Sequence, residues 1–437
     1  MSILTKTRRS RDLAGPLFIL FTLAAPSVAG CARGCSSSSP APAKIFDAAT
    51  DAASAADPVS LPQDAASSSR ACRAVPLGGL VVVAKNGVTD VRIAATKSSA
   101  LVTWLEESWN ESGGRRAGGR LFRDGATPAL DDARVVEQTE YADEPLAGAV
   151  PLLFGAALGS VACVNEAPTA TFGCGRTLAD GSTKSLFVFP FDGMGLQEEG
   201  IAGVAKPDGS SFVVFVPNGK SVLALTSTTG KQRRHFVDDE DPSAFAKKLA
   251  AAATGPSEVT VVFRTRSEIH ARQSDFAGAW LAAGDVVLST PGTEVGAPAV
   301  TRVGGAAFAL YPERARASDP WRLASAVVEN GAVRRGNFVT GSEPADAPAL
   351  TTDRNDACFI VAWVEGRDAG AKTRVGRACS GELLPASVAT LSRAATPSGS
   401  AALARSDGAL FAAWQEFPKG SPAEVRVARL DCDDANP

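Results

Sequence analysis

The amino-acid sequence predicts an all-β fold built from repeated small sheets, and three observations support this prediction. The 437 residues include 41 Gly and 27 Pro but only 2 Met, a composition typical of short strands joined by tight turns. A pattern of two strands around a turn recurs along most of the chain. The two ends of this region carry strand patterns that complete each other.

Seven segments share this pattern, in which a strand of small and aliphatic residues leads through a turn into a second strand that ends on a large residue. The end residues are Trp104, Cys163, Phe215, Phe263, Tyr311, Trp363 and Trp414. A period of about 50 residues leaves room for two more strands in each unit, and seven four-stranded units form a β-propeller. The second and fourth copies fit the pattern poorly, and residues 243–254 have helical propensity. A propeller of six or eight blades is therefore the alternative to one of seven.

The clearest copies have further features in common. Trp363 is followed by Glu365, Arg367 and Arg377, and Trp414 is followed by Glu416. These copies resemble the W-x-E-x-R units of secreted bacterial propeller proteins. The resemblance implies a propeller of seven blades in an exported protein.

The two ends of the folded region predict how the propeller closes. The last unit contains three strands and stops at Cys432, whereas the strand at residues 78–83 has no earlier partner. We therefore predict that this N-terminal strand is the fourth strand of the last blade. That arrangement brings Cys72 beside Cys432.

The other cysteines of the folded region lie at the ends of strands that are neighbours in one unit. Cys163 ends a second strand and Cys174 lies early in the third, while Cys358 opens a second strand and Cys379 ends the third. In an antiparallel pair the start of one strand faces the end of the next. The predicted disulfides are Cys72–Cys432, Cys163–Cys174 and Cys358–Cys379. The alternative is that some of these residues are buried free thiols.

Residues 1–30 have the features of an export signal. A basic start precedes an apolar run at residues 13–25, which is shorter than the roughly 20 residues that span a bilayer. The run leads to Val28-Ala29-Gly30-Cys31, which resembles the lipobox of bacterial lipoproteins. The resemblance implies that the signal is removed and that Cys31 becomes a lipidated N-terminus. The alternative is an ordinary signal peptide cut near Ala29.

Residues 36–70, which make up most of the segment 31–70, consist almost entirely of Ser, Ala, Asp and Pro and have too few large apolar residues to form a core. We predict a disordered tether between the lipid and a propeller domain at residues 71–437. Within it, Cys35 is interpreted as a tolerated residue, with a reactive or intermolecular thiol as the alternative. Because Ala32 is not the aspartate associated with inner-membrane retention, we expect a lipid anchor in the bacterial cell envelope, in the outer membrane rather than the inner.

The charge balance and the motif content argue against several classes of function. The formal net charge of −3 gives no indication of a nucleic-acid partner. The two histidines, His235 and His270, have no metal-ligand spacing, and no catalytic triad or phosphate-binding loop is visible. We therefore predict no cofactor and no metal, and we expect a monomer. The acidic residues 238–241 are interpreted as a solvated loop, with calcium binding as the alternative.

A glutamate follows the large end residue by two positions in four units, and a strand period of two places both side chains on one face. These residues are Glu106, Glu313, Glu365 and Glu416. One interpretation is a carboxylate ring that binds a cationic or sugar ligand. The favoured interpretation is structural pairing with arginines of the third strand, because a bond that repeats in each unit suits a scaffold. The expected partners are Arg120, Arg322, Arg377, and Arg426 or Arg429.

Large residues that break or follow the repeat have different predicted roles. Trp104, Trp363 and Trp414 end second strands, so we predict that they pack between blades.

Insertions at residues 106–120, 189–200 and 229–242 are candidate binding loops, because binding sites tend to lie on loops over a rigid frame. Their candidate binding residues are Trp109, Arg115, Arg116, Phe191, Met194, Arg233, Arg234 and His235.

Two classes of function remain in contention, besides a purely structural role in the envelope. The favoured hypothesis is a membrane-anchored lipoprotein whose propeller is a non-catalytic binding scaffold for a protein or a glycan. The alternative is a glycan hydrolase or lyase with a carboxylate site in the central channel or on one loop face. A hydrolase would need two carboxylates about 5–10 Å apart.

Overall fold

Seven antiparallel sheets, each built on a row of four strands, surround a common axis in the computed structural model, so the predicted seven-bladed β-propeller is confirmed. Four of the sheets include one additional short strand. The first strand of each blade contacts the first strands of both neighbouring blades, and these contacts form a closed circle. The structure describes residues 71–432 except 75–80, 86–87, 107–111, 125–128, 133, 140–145, 167–170, 191–199, 219–220, 227–231, 237–246, 282–283 and 407–408. All structural statements concern these described residues.

The first two strands, β1 (Arg73–Ala74) and β2 (Val81–Lys85), precede the first complete blade. The strands of blades 1 to 3 are β3 (Val88–Ala95), β4 (Ser99–Glu106), β5 (Arg116–Arg123), β6 (Ala129–Leu130), β7 (Arg134–Gln138), β8 (Leu146–Phe154), β9 (Ala157–Glu166), β10 (Thr171–Leu178), β11 (Thr183–Pro190), β12 (Ala202–Ala205), β13 (Phe212–Asn218), β14 (Ser221–Thr226) and β15 (Gln232–Phe236). In blade 1 the outer position is shared by β6 and β7, which both pair with β5.

Blades 4 to 7 contain β16 (Lys247–Ala253), β17 (Glu258–Arg264), β18 (Ile269–Asp275), β19 (Val286–Val287), β20 (Glu294–Val295), β21 (Ala299–Val303), β22 (Ala306–Arg314), β23 (Arg322–Glu329), β24 (Ala332–Phe338), β25 (Ala345–Thr352), β26 (Cys358–Glu365), β27 (Lys372–Cys379), β28 (Glu382–Leu383), β29 (Ala389–Thr390), β30 (Ser398–Ser406), β31 (Ala409–Glu416) and β32 (Glu424–Asp431). The described helices are two short 3-10 turns, Asp368–Gly370 and Pro385–Ser387. Within the described residues, no helix is long and apolar enough to cross a bilayer.

Helical propensity at residues 243–254 does not decide the local structure. The described part of that segment includes β16, which is the first strand of blade 4 and pairs with β17. Tertiary packing between blades outweighs the preference of an alanine-rich stretch for a helix, because Leu249 is buried in the core between blades 3 and 4.

The hydrophobic core is divided among the interfaces between neighbouring blades. A cluster of buried side chains lies at each interface, including the one between blade 7 and blade 1. Trp104, Trp363 and Trp414 are almost fully buried, and each packs with residues of the preceding blade. Gly118 lies directly opposite Trp104, and a Cβ atom there would stand 2.6 Å from the indole ring. The aromatic end residues therefore act as packing anchors between blades.

The two ends of the chain complete blade 7 as the sequence predicts. Both β1 and β2 pair with β32, so the N-terminal segment supplies the outer position of the last blade. Arg73 lies opposite Asp431, and the adjoining Cys72 and Cys432 form a disulfide. The other two predicted bridges, Cys163–Cys174 and Cys358–Cys379, are also confirmed.

The first strands carry a recurring irregularity near the point where each begins. The register with the second strand shifts in β3, β8 and β16, and also in β25 and β30. Asp90, Lys248 and Ala347 have positive φ angles at this point, as does Gly148. Gly148 is sterically required, because a Cβ atom there would lie 2.5 Å from the Asp90 carboxylate. These bulges bring neighbouring blades together at the narrow centre of the ring.

The ring closure yields a stability prediction. We expect the double variant Cys72→Ser/Cys432→Ser to lose about 6 kcal/mol of unfolding free energy, because the entropy that a cross-link removes from the unfolded chain grows with the loop that it closes. That loop has a sequence separation of 360 residues, against 11 for Cys163–Cys174. The matched control Cys163→Ser/Cys174→Ser should lose about 3 kcal/mol. Urea titration of both variants and the wild type measures these losses. Equal losses in the two variants would contradict the closing role of the first bridge.

Candidate functional site

Polar side chains gather at one face of the ring, where the first strand of each blade begins and the second strand ends. This face is here called the start face. Val88 lies opposite Glu106 in blade 1, and Lys247 lies opposite Arg264 in blade 4. Asp346 in blade 6 lies opposite Val364, next to Glu365. Charged residues at these strand ends are therefore candidates for contacts with a ligand.

Three of the four repeated glutamates bind an arginine of their own blade, and Glu106 and Glu365 have the simpler surroundings. The Trp104 Nε1–H donates to Glu106 Oε1 at 2.7 Å, and Arg116 Nε donates to Glu106 Oε2 at 3.1 Å. In blade 6, Arg374 Nε donates to Glu365 Oε2 at 2.7 Å. These bonds join the second and third strands of one sheet, so they stabilise the blade from within.

Glu416 is the most deeply buried of the four and has the most partners. Its Oε1 accepts hydrogen bonds from Trp414 Nε1 at 3.1 Å and from the Arg393 backbone N–H at 3.0 Å. Its Oε2 lies 2.6 Å from Arg393 Nε and 2.8 Å from Arg426 Nε. Glu424 Oε2 binds the same two arginines at 3.1 and 2.7 Å. The four charged groups form a closed network in which both carboxylates are matched by guanidinium groups.

Burial by itself raises the pKa of the Glu416 carboxyl, but its partners reverse this effect. The Arg393 backbone N–H, the side chains of Trp414 and Arg393, and the charge of Arg426 together hold the pKa below its ordinary value. Glu416 is thus bound as a carboxylate within the frame of blade 7.

Glu313 differs from the other three because it accepts hydrogen bonds from hydroxyl groups and a backbone amide. Its Oε1 accepts from Thr290 N and from Thr293 Oγ1, both at 2.8 Å, and its Oε2 accepts from Thr290 Oγ1 at 3.2 Å. These threonines lie in the segment that joins blade 4 to blade 5, so the hydrogen bonds of Glu313 hold this connecting segment in place. Arg322 lies opposite Glu313 in register but donates to the carbonyls of Ser342 and Glu343 at 2.8 Å.

The partners expected from the sequence therefore need correction in three blades. The observed arginines are Arg116 and Arg374, whereas Arg120 donates to the Asp131 carbonyl and Arg377 pairs with Asp353. In blade 7, Arg426 pairs with Glu416 as expected. The two observed partners reach their glutamates differently: Arg116 stands directly opposite Glu106, whereas Arg374 stands opposite Trp363 and extends diagonally to Glu365.

Most of the candidate binding loops lie outside the described residues, including Trp109, Phe191 and Met194. Arg233, Arg234 and His235 belong to β15, the outer strand of blade 3, and their side chains are outside the description. The role of these six residues in binding stays a prediction. The lipidation residue Cys31, the signal at 1–30 and the tether at 31–70 also lie outside the described residues.

The remaining two candidates of these loops are placed by the structure. The backbone N–H of Arg115 donates to Thr139 Oγ1 at 2.9 Å, and the Arg115 carbonyl accepts from Thr139 N at 2.8 Å. Arg116 is the first residue of β5, and its guanidinium pairs with Glu106. Both residues help to fix the entry into the third strand of blade 1, and their part in binding stays a prediction.

Arg92 links two blades that are not neighbours in the ring. Its Nε bonds both carboxylate oxygens of Asp90 at 3.1 Å, and its guanidinium donates to the carbonyl of Ile201. The second bond joins blade 1 to the residue that precedes the first strand of blade 3. Arg92 therefore helps to fix the positions of blades 1 and 3.

A residue that the sequence interpretation missed breaks the repeat in blade 4. Arg264 directly follows the large end residue Phe263, a position that the other six blades fill with uncharged residues. Those residues are Leu105, Val164, Val216, Pro312, Val364 and Gln415. An alignment of the seven copies at their end residues would have revealed this charged exception.

Arg264 is half-buried and interacts electrostatically with acids of blades 5 and 6. Burial lowers the pKa of the Arg264 guanidinium, and the charges of Asp346 and Glu294 counteract this. Burial also raises the pKa of Asp346, and this effect exceeds the opposing effects of the Ala347 N–H, Arg264 and Arg314. Ala347 N donates to Asp346 Oδ1 at 2.6 Å. Asp346 is thus held in surroundings that favour its neutral form.

Blade 5 adds a bound arginine and an aromatic ring to this region. Arg314 Nε donates to Glu294 Oε2 at 2.7 Å, and its Nη1 donates to the Ala317 carbonyl at 2.8 Å. The Arg314 guanidinium lies 4.3 Å from the ring centre of the half-buried Trp321. The Trp321 carbonyl accepts from Ala345 N, directly before Asp346. The residues that define this blade 4–6 site are Arg264, Glu294, Arg314, Trp321 and Asp346.

His270 and the acidic residues do not assemble a metal site in the described part of the chain. No group of three or more His, Cys, Asp or Glu residues there is arranged to hold a metal ion. His270 is buried and stacks on Phe263, with ring centres 5.4 Å apart. Its Nε2 lies 3.2 Å from Glu268 Oε2. His270 is part of the blade 4 interior, and residues 238–241 lie outside the description.

Comparison with known proteins supports the fold and does not identify a function. No protein-family model and no curated protein sequence matches this chain. The fold is similar to two structures of an ulvan lyase, at 8% and 9% identity and TM-scores of 0.54 and 0.51, which cover 79% of this chain and 95% of the lyase. Trypanosoma rangeli sialidase with the inhibitor DANA has 13% identity and a TM-score of 0.46, over 82% of this chain and 59% of the sialidase. The class of protein is a seven-bladed β-propeller.

The Glu416 network yields a stability prediction. We expect Glu416→Gln to lower the unfolding free energy by about 3 kcal/mol, because it leaves the buried Arg426 and the partly exposed Arg393 without one of their two counter-charges. The control Asp431→Asn removes the exposed pair with Arg73, whose side chain is 72% exposed, and should cost about 0–1 kcal/mol. Urea unfolding at neutral pH compares the two. A Glu416→Gln loss no larger than that of the control would contradict the structural role.

The same network predicts a pH dependence. A carboxyl whose native pKa is lowered contributes stability above its unfolded pKa, and that stability is lost as the pH falls through the native value. The stability difference between the wild type and Glu416→Gln should therefore shrink on acidification. Thermal unfolding of both proteins across an acid pH series measures this difference. A gap that stays constant down to strongly acidic pH would mean that Glu416 is not held as a carboxylate.

Proposed function

We propose that this chain is a lipoprotein of the bacterial cell envelope whose propeller is a non-catalytic binding scaffold, and that it binds a glycan at the start face. The observation that carries the proposal is the use of the repeated glutamates. Glu106, Glu313, Glu365 and Glu416 are all bound by groups of the protein itself. Carboxylates used in this way stabilise the scaffold and are poorly suited to acid–base catalysis on a substrate.

Three disulfides support a location outside the cytoplasm. Such bonds persist in oxidising compartments and are rare in the cytosol. An export signal with a lipobox at Cys31 is consistent with that location, as is the Ser-, Ala-, Asp- and Pro-rich segment at residues 31–70. A long tether would let the propeller reach a ligand at some distance from the membrane.

The blade 4–6 site supports a glycan as the ligand more than it supports a protein. It combines an aromatic ring at Trp321 with charged groups at Arg264 and Arg314. Aromatic rings stack on the apolar faces of sugars, and charged side chains hydrogen-bond to their polar substituents. A protein ligand is the other class that the sequence leaves open.

A glycan hydrolase or lyase is the second candidate function, and Asp346 is the observation that favours it. An acid whose burial raises its pKa, beside an arginine, has the character of a proton donor in catalysis. The ulvan lyase with the same fold is a polysaccharide lyase, and that structure contains -[GlcA(1-4)Rha3S]-. The likeness concerns the fold, so turnover has to be measured on this chain.

Binding and turnover can be separated in one experiment. We expect the purified protein to bind members of a glycan array and to leave the same glycans intact on prolonged incubation, as followed by mass spectrometry of the products. Binding without products is the expected result. Release of shorter or unsaturated products, abolished by Asp346→Asn, would favour the enzyme and overturn the non-catalytic scaffold.

The anchor is tested by a pair of cysteine variants. We expect Cys31→Ala to abolish incorporation of radiolabelled palmitate and to release the protein from the membrane fraction, because the lipid is attached to that thiol. Cys35→Ala is the matched control and should keep both properties. Labelling that survives in Cys31→Ala, or that is lost in Cys35→Ala, would contradict the assignment of the lipobox.

A further inference from the structure

Arg264 has a hydrogen-bonding group that the protein does not use. Its Nε atom is buried and has no hydrogen-bond partner among the described residues. A buried donor without a partner is destabilising. Four other arginines in the described part of the chain also have a buried Nε without a hydrogen-bond partner, but Arg272, Arg405 and Arg426 each pair with a carboxylate through another nitrogen, and Arg176 lies over the Phe154 ring. An uncharged residue occupies the same register position in every other blade, so the fold itself does not require an arginine there. The departure from the repeat therefore points to a ligand.

The surrounding charges leave Arg264 less well neutralised than its neighbour Arg314. Glu294 bonds Arg314 directly, at 2.7 Å. Asp346 interacts with Arg264 electrostatically, but burial favours the neutral form of its carboxyl. Arg264 therefore has no directly bonded counter-charge among the described residues, and an anionic group of a ligand would supply one.

We propose that the blade 4–6 site binds an acidic group carried by a sugar, either a carboxylate or a sulfate ester, through Arg264, with the sugar ring lying near Trp321. The planar guanidinium suits both oxyanions, because it presents parallel N–H donors. Trp321 is half-buried and supplies apolar surface beside the charge. This inference rests on the proposed function and narrows its ligand to acidic glycans.

The first test compares an acidic oligosaccharide with a neutral one of the same length. The probes are a glucuronate oligosaccharide, a sulfated glucose oligosaccharide and the unmodified glucose oligosaccharide, titrated by calorimetry into the propeller. We expect one of the two acidic probes to bind at least about tenfold more tightly than the neutral probe. The acidic probe that binds more tightly identifies the anion. Equal affinity for all three probes would overturn the proposal.

Arg264→Leu is the decisive variant, because blade 1 carries Leu105 at the same register position and the blade should still fold. We expect it to reduce affinity for the preferred acidic probe at least about tenfold and to leave the neutral probe unaffected. The matched control Arg334→Ala removes an exposed arginine on the outer strand of blade 5 and should change neither affinity. Circular dichroism confirms that both variants are folded. Unchanged acidic affinity in Arg264→Leu would overturn the site.

Failure of the acidic site and failure of the proposed glycan-binding function give different experimental results. If the wild type binds the neutral probe and Arg264→Leu binds it equally, glycan binding stands and the acidic site is overturned. If the folded wild type binds none of the probes and no member of the glycan array, the proposed function is overturned and the site with it.

The pH dependence of binding tests the blade 4–6 site independently, through the ionisation of Asp346. The charged groups that act on it are Arg264 from blade 4 and Arg314 from blade 5, and the Ala347 N–H contacts it from its own strand. Ionisation of Asp346 places a negative charge beside the ligand, so wild-type affinity for the acidic probe should fall as the pH rises through the raised pKa of Asp346. Asp346→Asn should bind at least as tightly as the wild type and lose this dependence. A dependence that persists in Asp346→Asn would contradict the role of Asp346.

Discussion

The pairing of β32 with β1 and β2 is the interaction on which the whole structure depends. A propeller blade cannot bury both of its faces alone, and each inter-blade core requires the neighbouring sheet. The circle of first strands closes between blade 7 and blade 1, where Phe411 packs with Phe122 at 5.9 Å. The bridge between Cys72 and Cys432 joins the chain ends at the outer side of the same blade. If the ends separated, the interface between blades 7 and 1 would lose the support of a complete outer sheet.

Residues that recur in several blades serve the scaffold, whereas a residue that breaks the repeat is a candidate for binding. The buried tryptophans and the bound glutamates recur because every interface needs packing and every blade needs a fixed strand register. Gln415 shows how a small change serves the scaffold, since its Nε2 bonds the Val88 carbonyl at 2.6 Å across the closing interface. Arg426 also has a buried Nε without a hydrogen-bond partner, but its guanidinium pairs with Glu416 and Glu424, whereas Arg264 breaks the repeat without such a pair among the described residues.

Much of the architecture was predictable from the sequence, because strand period, turn residues and cysteine positions are local signals that the ring geometry combines. Cys72 and Cys432 could be paired once a circular fold was recognised. The arginine partners were harder to predict, since Arg374 reaches Glu365 along a diagonal that depends on rotamers and strand twist. The site was missed for a different reason. Arg264, Trp321 and Asp346 come from three blades, and only the closed ring shows that they share one face.

The disulfide map tests the closing arrangement most directly. Trypsin cleavage of the unreduced protein releases residues 71–73, which contain Cys72, and residues 430–437, which contain Cys432. If the two ends of the chain close the ring, mass spectrometry will find these two peptides joined by a disulfide, and reduction will separate them. A link from Cys72 to any other cysteine, or a free Cys72 thiol, would contradict the closure of the ring by the two ends of the chain.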